Sequence, residues 1–255
     1  MTKFNKVIVR KPGKSYVEGL TTSNIGTPEY ELLLDQHEDY VKALKKTGVT
    51  VEYLESDERY PDSTFVEDTA VLTHDFAIIC NPGADTRNDE KNLIEPVIKK
   101  DFEKMYYIEA PGTVDGGDVL QADDKFYIGI SERTNKEGAR QFKNIVESEG
   151  YTASIVPLKE FFHLKTGIAY LGDNNMLVAG EFIDHPEFES YNQISVDNDE
   201  VYAANCIRIN DYVFVPSGFN KVIARLDSLG YNVLPLQMSE FQKQDGGLSC
   251  LSLRY

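Results

Sequence analysis

The sequence is short of positive charge and of cysteine, and it has no long apolar run. Its 255 residues carry 26 Lys and Arg against 42 Asp and Glu, a formal charge of -16 at pH 7. Nucleic acids and anionic membrane surfaces are bound by clustered Lys and Arg, so neither is an expected partner. The balance suits a cationic substrate, although acidic surfaces also serve solubility. Three cysteines, an odd number without CxxC spacing, indicate neither a disulfide framework nor a zinc knuckle. No stretch is long and apolar enough to span a bilayer. Met1-Thr2-Lys3-Phe4-Asn5-Lys6 leads straight into the strand-like Val7-Ile8-Val9 with no signal peptide, so a cytoplasmic protein is expected. HExxH, Walker A and GxGxxG patterns are missing, which leaves metalloprotease, P-loop and dinucleotide readings without support. No Pro/Gly/Ser-rich linker or low-complexity tract interrupts the chain. With 41% hydrophobic and 27% charged residues it reads as one globular domain over 1–255, near the upper size for a single core.

What is present is a loose repeat, in which an acidic or Gly-rich turn is followed by a short apolar strand. It occurs at Glu67-Asp68-Thr69-Ala70-Val71-Leu72 and at Asp115-Gly116-Gly117-Asp118-Val119-Leu120. Weaker echoes run from Gly172 to Val178, from Ala204 to Ile209 and from Asp245 to Leu251. In most copies a second short strand comes next, such as Phe76-Ala77-Ile78-Ile79 or Phe126-Tyr127-Ile128-Gly129, which is the hairpin signal. Helical stretches lie between copies. Tyr30, Leu33, His37, Val41 and Leu44 form one apolar stripe that ends at Gly48; Glu137 to Glu149 ends at Gly150, and Lys221 to Leu229 ends at Gly230. The pattern predicts an α/β protein with internal pseudosymmetry. Repeats related by rotation would bring their turns to one axis, and the scattered acidic turns to one site.

Cys250 follows Asp245-Gly246-Gly247-Leu248-Ser249, where glycines let the backbone approach a ligand closely. It is either a nucleophile or a small buried hydrophobe, the usual fate of a cysteine. The second reading suits Cys80 and Cys206, which lie at the edges of apolar strands. Among the histidines, His37 falls on a helical apolar stripe, while His74 and His185 fall in polar turns. His163, between Phe161-Phe162 and Leu164-Lys165-Thr166-Gly167, is the best candidate for a general acid/base. Most carboxylates are solvated charges. Glu67 and Asp68 after Phe65-Val66, and Asp115 and Asp118 around Gly116-Gly117, sit in apolar or Gly-rich settings and should have hydrogen-bond partners or a cationic ligand.

Five segments, taken in order, resemble the dimethylarginine dimethylaminohydrolase family: Pro61-Asp62-Ser63-Thr64-Phe65-Val66-Glu67-Asp68, Thr113-Val114-Asp115-Gly116-Gly117-Asp118, Arg133-Thr134-Asn135, His163-Leu164-Lys165-Thr166 and Asp245-Gly246-Gly247-Leu248-Ser249-Cys250. The resemblance covers essentially the whole chain, from Gly19-Leu20-Thr21 to Tyr255. It implies the pentein fold, a five-bladed α/β propeller of ββαβ repeats with pseudo-fivefold symmetry. It also implies hydrolysis of Nω-methylated L-arginines (asymmetric dimethylarginine, monomethylarginine) to L-citrulline and dimethylamine or methylamine. That reaction runs through a covalent cysteine thiouronium intermediate, with no cofactor and no metal. Carried over motif by motif, the nucleophile is Cys250, the acid/base is His163 and its acidic partner is Asp115. Asp68, with Glu67 beside it, grips the guanidinium. Asp62 meets the α-amino group, Arg87 and Arg133 meet the α-carboxylate, and Leu20 and Gln244 make backbone or lid contacts. Gln244 stands where an apolar residue is common. A homodimer is left open.

Two other readings compete. An arginine deiminase or another amidino-group hydrolase of the same superfamily tends to carry a second Asp two residues after the histidine, where this chain has Lys165. Unmethylated arginine offers five guanidinium N–H donors and the asymmetrically dimethylated form three, so fewer acceptors suit the methylated substrate. A non-catalytic pentein binding module would lack the nucleophile or the histidine, and both are present.

Overall fold

The computed structural model describes residues 3–255; Met1 and Thr2, at the start of the N-terminus read above, lie outside it. The repeat takes the form of five three-stranded sheets built on one plan. Strand Val119–Ala122 pairs antiparallel with Lys125–Ile130, which pairs in parallel with Thr152–Pro157 after the helix Lys136–Ser148. The first pairing needs only a tight turn, whereas a parallel partner requires a long crossover, most simply a helix. The plan recurs in Ala70–Leu72, Ala77–Ile79 and Met105–Tyr107, across the helix Lys91–Ile98. It recurs in Ile207–Ile209, Tyr212–Pro216 and Asn232–Leu236, across Asn220–Ser228. In Ile168–Gly172, Asn175–Val178 and Asn192–Ser195, the short turns Gly180–Phe182 and Pro186–Phe188 replace the helix. The fifth sheet joins the two ends of the chain: Leu253–Arg254 pairs antiparallel with Lys6–Arg10, which pairs in parallel with Thr50–Leu54 across the helix Tyr30–Lys46. The expected α/β chain of five repeats is what the sheets show, four of them with the full ββαβ order and one with turns in place of its helix.

The chain forms two compact units. Glu67–Asn205 contains three of the sheets; the residues up to Val66, together with Cys206–Tyr255, contain the other two. In the first unit, strand Lys125–Ile130 is buried on both faces. Phe126 and Ile128 enter one apolar cluster with Phe142 and Val146, and Tyr127 enters another with Met176 and Phe188. Successive side chains point to opposite faces, so one strand serves two clusters.

The three helices read from apolar spacing are present, and each is followed by a glycine at positive φ: Gly48 at 85°, Gly150 at 88° and Gly230 at 87°. That left-handed conformation closes the last helical turn without a Cβ penalty. The helix Lys91–Ile98 went unread because it is short and has Pro96 inside it. Two of the weaker echoes need correction. Gly172 to Val178 is the hairpin turn and second strand of its repeat, with Gly172, Asp173 and Asn174 all at positive φ. Ser249–Leu251 is a helical turn, and the strand begins only at Leu253. With these corrections every repeat opens on a short helical turn: Val66–Thr69, Gly116–Asp118, Leu164–Gly167, Asn198–Ala204 and Ser249–Leu251. Among the described residues no helix is long and apolar enough to cross a membrane.

His37 lies on the buried face of Tyr30–Lys46, 1% exposed, edge-on to Tyr53 and near Phe241, and its Nε2 has no partner. Burial pulls its pKa down to about 4, opposed by the Arg10 carbonyl and reinforced by Lys11. The unfolded chain therefore takes up a proton that the folded chain refuses. Stability is full above the ordinary histidine value near 6.5 and is lost as pH falls toward 4, by on the order of 3 kcal/mol. Unfolding midpoints of wild type and His37→Phe between pH 7 and pH 4 check this. The variant should show a flatter decline, and parallel declines would remove His37 as the cause.

Candidate active site

Three of the opening turns in the Glu67–Asn205 unit bring their polar residues together. Asp68 lies on Val66–Thr69, Asp115 precedes Gly116–Asp118, and His163 precedes Leu164–Gly167. These three side chains offer oxygen and nitrogen atoms all within 4.8 Å of one another. The glycines of the Asp-Gly-Gly-Asp turn make the approach possible. A Cβ on Gly116 would collide with the Glu67 carbonyl oxygen, and one on Gly117 would stand 2.9 Å from Asp68 Oδ1 and 3.1 Å from the His163 ring. Gly117 N–H donates to Asp68 Oδ1 at 2.9 Å, and Gly83 N–H donates to Asp115 Oδ1 at 2.8 Å. His163 Nε2 is 3.9 Å from Asp115 Oδ2. Its Nδ1 is 3.3 Å from Asp118 Oδ1 but off the line of a hydrogen bond.

The carboxylates set the protonation of this cluster. Burial would pull the His163 pKa down, but Asp118, then Asp68 and Asp115, outweigh it and hold the imidazole at about 9. Burial, then the charge of Asp68, lift Asp115 to about 6. Asp68 is held below the ordinary carboxylate range: burial works against ionisation, and Arg87 and His163 override it. Arg87 is itself buried, with Nη1 2.6 Å from Asp68 Oδ2 and Nη2 2.8 Å from Glu90 Oε2. An arginine and an imidazolium already share the space between the acids. Both cations are planar and delocalised, and their charge is matched by the buried carboxylates around them.

Around this centre, Lys165 Nζ lies 2.7 Å from Glu67 Oε1, with both side chains nearly buried. The lysine that replaces the deiminase acid thus neutralises one of the nearby carboxylates. Arg133 is half-buried, its guanidinium 5.2 Å from the Phe162 ring centre, and Phe162 meets the His163 ring edge-on at 4.4 Å. Glu90 and Phe162 were not singled out from sequence, although each sits next to a residue that was: Glu90 one helical turn beyond Arg87, Phe162 adjoining His163.

The other unit holds the remaining candidates. Cys250 is half-buried on the turn Ser249–Leu251, and its Sγ accepts the Gly247 N–H at 3.4 Å. Cys80 and Cys206 are fully buried; burial pushes the Cys80 thiol well up and the Cys206 thiol to about 12. Of the three, Cys250 alone combines access with a polar donor at sulfur. Asp62 is buried and accepts the Leu20 N–H at 3.1 and 3.2 Å through its two oxygens, while the Leu20 side chain is exposed. Asp245 takes the Thr22 N–H at 2.6 Å and the Thr21 and Thr22 hydroxyls at 3.1 Å, pinning the segment 21–22 to the loop before Cys250. Gln244 is buried and donates to the Tyr16 carbonyl at 3.2 Å, and its Oε1 has no partner.

The chain is similar to known proteins over its whole length. The family model described as N,N dimethylarginine dimethylhydrolase, eukaryotic, matches residues 27–207. The N(G),N(G)-dimethylarginine dimethylaminohydrolase of Pseudomonas aeruginosa is 47% identical, over 99% of this chain and 100% of its own. The crystal structure of a cysteine-to-serine variant of the P. aeruginosa enzyme complexed with citrulline superposes with a TM-score of 0.98 at 46% identity, covering both chains completely. A histidine-to-glycine variant of a dimethylarginine dimethylaminohydrolase, as its adduct with S-methyl-L-thiocitrulline, gives 0.97 at 46% identity over 99% of this chain and 100% of that one. With a full-length relative at this identity and the family model matched over most of its residues, the chain belongs to the dimethylarginine dimethylaminohydrolase family.

Proposed function

We propose that the protein hydrolyses asymmetric dimethylarginine and monomethylarginine to citrulline and dimethylamine or methylamine, working as a single catalytic domain over 1–255. The observation that carries this reading is full-length similarity to a named dimethylarginine dimethylaminohydrolase, in a chain whose buried acids surround a charged histidine. A guanidinium is planar, delocalised and a poor electrophile. Asp68, with Glu67 beside it, would hold its N–H edge and so fix the central carbon. Asp62 would take the α-ammonium, with Leu20 and Gln244 closing over it, and Arg133 and Arg87 would take the α-carboxylate. In the structure Arg87 lies on Asp68, so the incoming guanidinium and Arg87 compete for one carboxylate, and substrate entry frees the arginine.

The Cys250 thiolate would add to the guanidinium carbon, giving a tetrahedral adduct. His163, cationic through the neutral range, would donate its proton to the departing methylamine as the C–N bond breaks, leaving a thiouronium on sulfur. The now neutral imidazole would deprotonate water, which adds to the same carbon; the C–S bond then breaks, releasing citrulline and the thiol. Asp115, 3.9 Å from Nε2, would balance the imidazolium. A nucleophile of this kind works only while reduced, which fits a cytoplasmic enzyme.

Citrulline release from four substrates tests the reading. Asymmetric dimethylarginine and monomethylarginine should turn over, arginine poorly, and agmatine, which lacks the carboxylate, poorly or not at all. Arginine or agmatine as the best substrate would move the protein to another amidino hydrolase.

A further inference from the structure

The second acid of the Asp-Gly-Gly-Asp turn is turned away from the role that the first one plays. Asp118 is fully buried, and both of its oxygens are engaged by protein groups. Oδ2 receives the Ser131 hydroxyl and the Thr134 hydroxyl, each at 2.6 Å. Those hydroxyls are donors here, because their own oxygens already accept. Ser131 Oγ takes the Arg133 and Thr134 N–H groups at 3.0 and 3.1 Å, and Thr134 Oγ1 takes the Asp115 N–H at 3.1 Å. Oδ1 receives the Leu164 N–H at 3.0 Å and faces His163 Nδ1 at 3.3 Å. One carboxylate thus clips together the turn that carries Arg133, the turn that carries Asp115 and the residue pair His163-Leu164. Phe162 closes the same circuit from the other side, with Arg133 over its face and His163 against its edge. Gly129 leaves the room required, since a Cβ there would stand 3.2 Å from Asp118 Oδ1 and 3.1 Å from Leu164 Cβ.

We propose that Asp118 is a positioning residue for two functions at once: it orients the His163 ring through Nδ1 and fixes the Arg133 turn, so that the acid/base and the carboxylate reader keep a set separation. The assignment of those two functions rests on the dimethylargininase reading. An acid/base displaced by 1 Å can lose about 10²-fold in rate, and a carboxylate reader tied to the same clip would shift with it.

The test replaces Asp118 with Asn, which keeps the shape and one acceptor oxygen for Leu164 but removes the charge facing Nδ1. The charged and titratable groups around the imidazole are Asp68, Asp115 and Asp118, with Arg87 beyond Asp68, Lys165 on Glu67, Arg133 beyond Phe162, and Cys80 near enough to feel Asp115. Asp118 is the largest of the influences that keep His163 protonated. The His163 Cε1–H resonance, assigned by its loss in His163→Gln, should titrate lower in Asp118→Asn by at least about one pH unit. In the same variant kcat for asymmetric dimethylarginine should fall and KM should rise, each by about tenfold or more. Ser131→Ala separates the two arms. It unties Arg133 from the clip while leaving the Asp118 charge, so KM should rise about fivefold or more with the His163 titration unmoved. An unchanged titration in Asp118→Asn, or an unchanged KM in Ser131→Ala, overturns the proposal. Should Asp118→Asn fail to fold, Ser131→Ala still decides, since its KM either rises or does not. The resonance is read without substrate, so a wild type that makes no citrulline would sink the dimethylargininase reading while leaving the role of Asp118 toward His163 independently tested.

Discussion

Cys250→Ser is expected to lose citrulline formation by about 10⁴-fold or more while unfolding at nearly the wild-type temperature, as deletion of a nucleophile does in an enzyme whose catalytic residues act as a unit. A serine hydroxyl is a far weaker nucleophile than a thiolate unless a base removes its proton, and the proposed acid/base, His163, is held cationic through the neutral range. The half-buried position of Cys250 means that one hydroxyl replaces one thiol at little cost to folding. Cys80→Ala and Cys206→Ala give the contrast. Both thiols are buried and pushed toward the neutral form, so these variants should keep their turnover per folded molecule and lose only packing. Near-normal citrulline release from Cys250→Ser, or its loss in either control, would move the nucleophile elsewhere.

His163→Gly should separate the two halves of the reaction. With asymmetric dimethylarginine as substrate, an amine must leave with a proton, and without the imidazolium both steps should slow by about 10²- to 10⁴-fold. With S-methyl-L-thiocitrulline the leaving group is a thiolate, which departs without that help. The first half should then proceed and the second should stall, because no base activates water. Acid-quenched protein should accumulate the mass of the adduct on Cys250, and Cys250→Ser should not. The pH dependence follows from the same group. A histidine raised to about 9 stays protonated below that value, so in the wild type adduct formation from dimethylarginine should fall above pH 9, as the imidazolium loses its proton. A well-folded His163→Gly protein with full turnover would return His163 to a structural role.

Much of this was legible because local chemistry announces itself. The Asp-Gly-Gly-Asp turn advertised a close backbone approach, and the Gly-terminated stripes located three of the helices. Other elements depend on partners far away in the chain. The helix Lys91–Ile98 contains Pro96, which local propensity reads as a break, yet Ile94 and Ile98 are held in place by burial. Gly172-Asp173-Asn174-Asn175 has the same composition as the opening turns, and only strand pairing shows that it is the inside of a hairpin. At the site, the motif marked Asp115 and Asp118 alike. What distinguishes them is the pair of hydroxyls at Ser131 and Thr134, more than ten residues away, that occupy Asp118. The sequence pattern points Arg87 toward substrate alone, because its hold on Asp68, nineteen residues away, leaves no local mark; it also holds Glu90.

The sheet made from both ends of the chain has a consequence for the order in which the protein becomes competent. In three of the other repeats the first hairpin closes a tight turn, but Leu253–Arg254 must find Lys6–Arg10 across nearly the whole sequence. Loop closure grows only logarithmically, so this pairing costs about 3 kcal/mol more than a five-residue loop would, a tolerable sum at equilibrium. In time it is the most distant contact to form, and distant contacts form slowly. Cys250 lies on the turn that leads into that strand. The contacts of the acid cluster around His163 close loops of about fifty residues, far shorter than the one that joins the two ends, so topology favours the acids being in place before the thiol. Reactivity would then be the last property to mature.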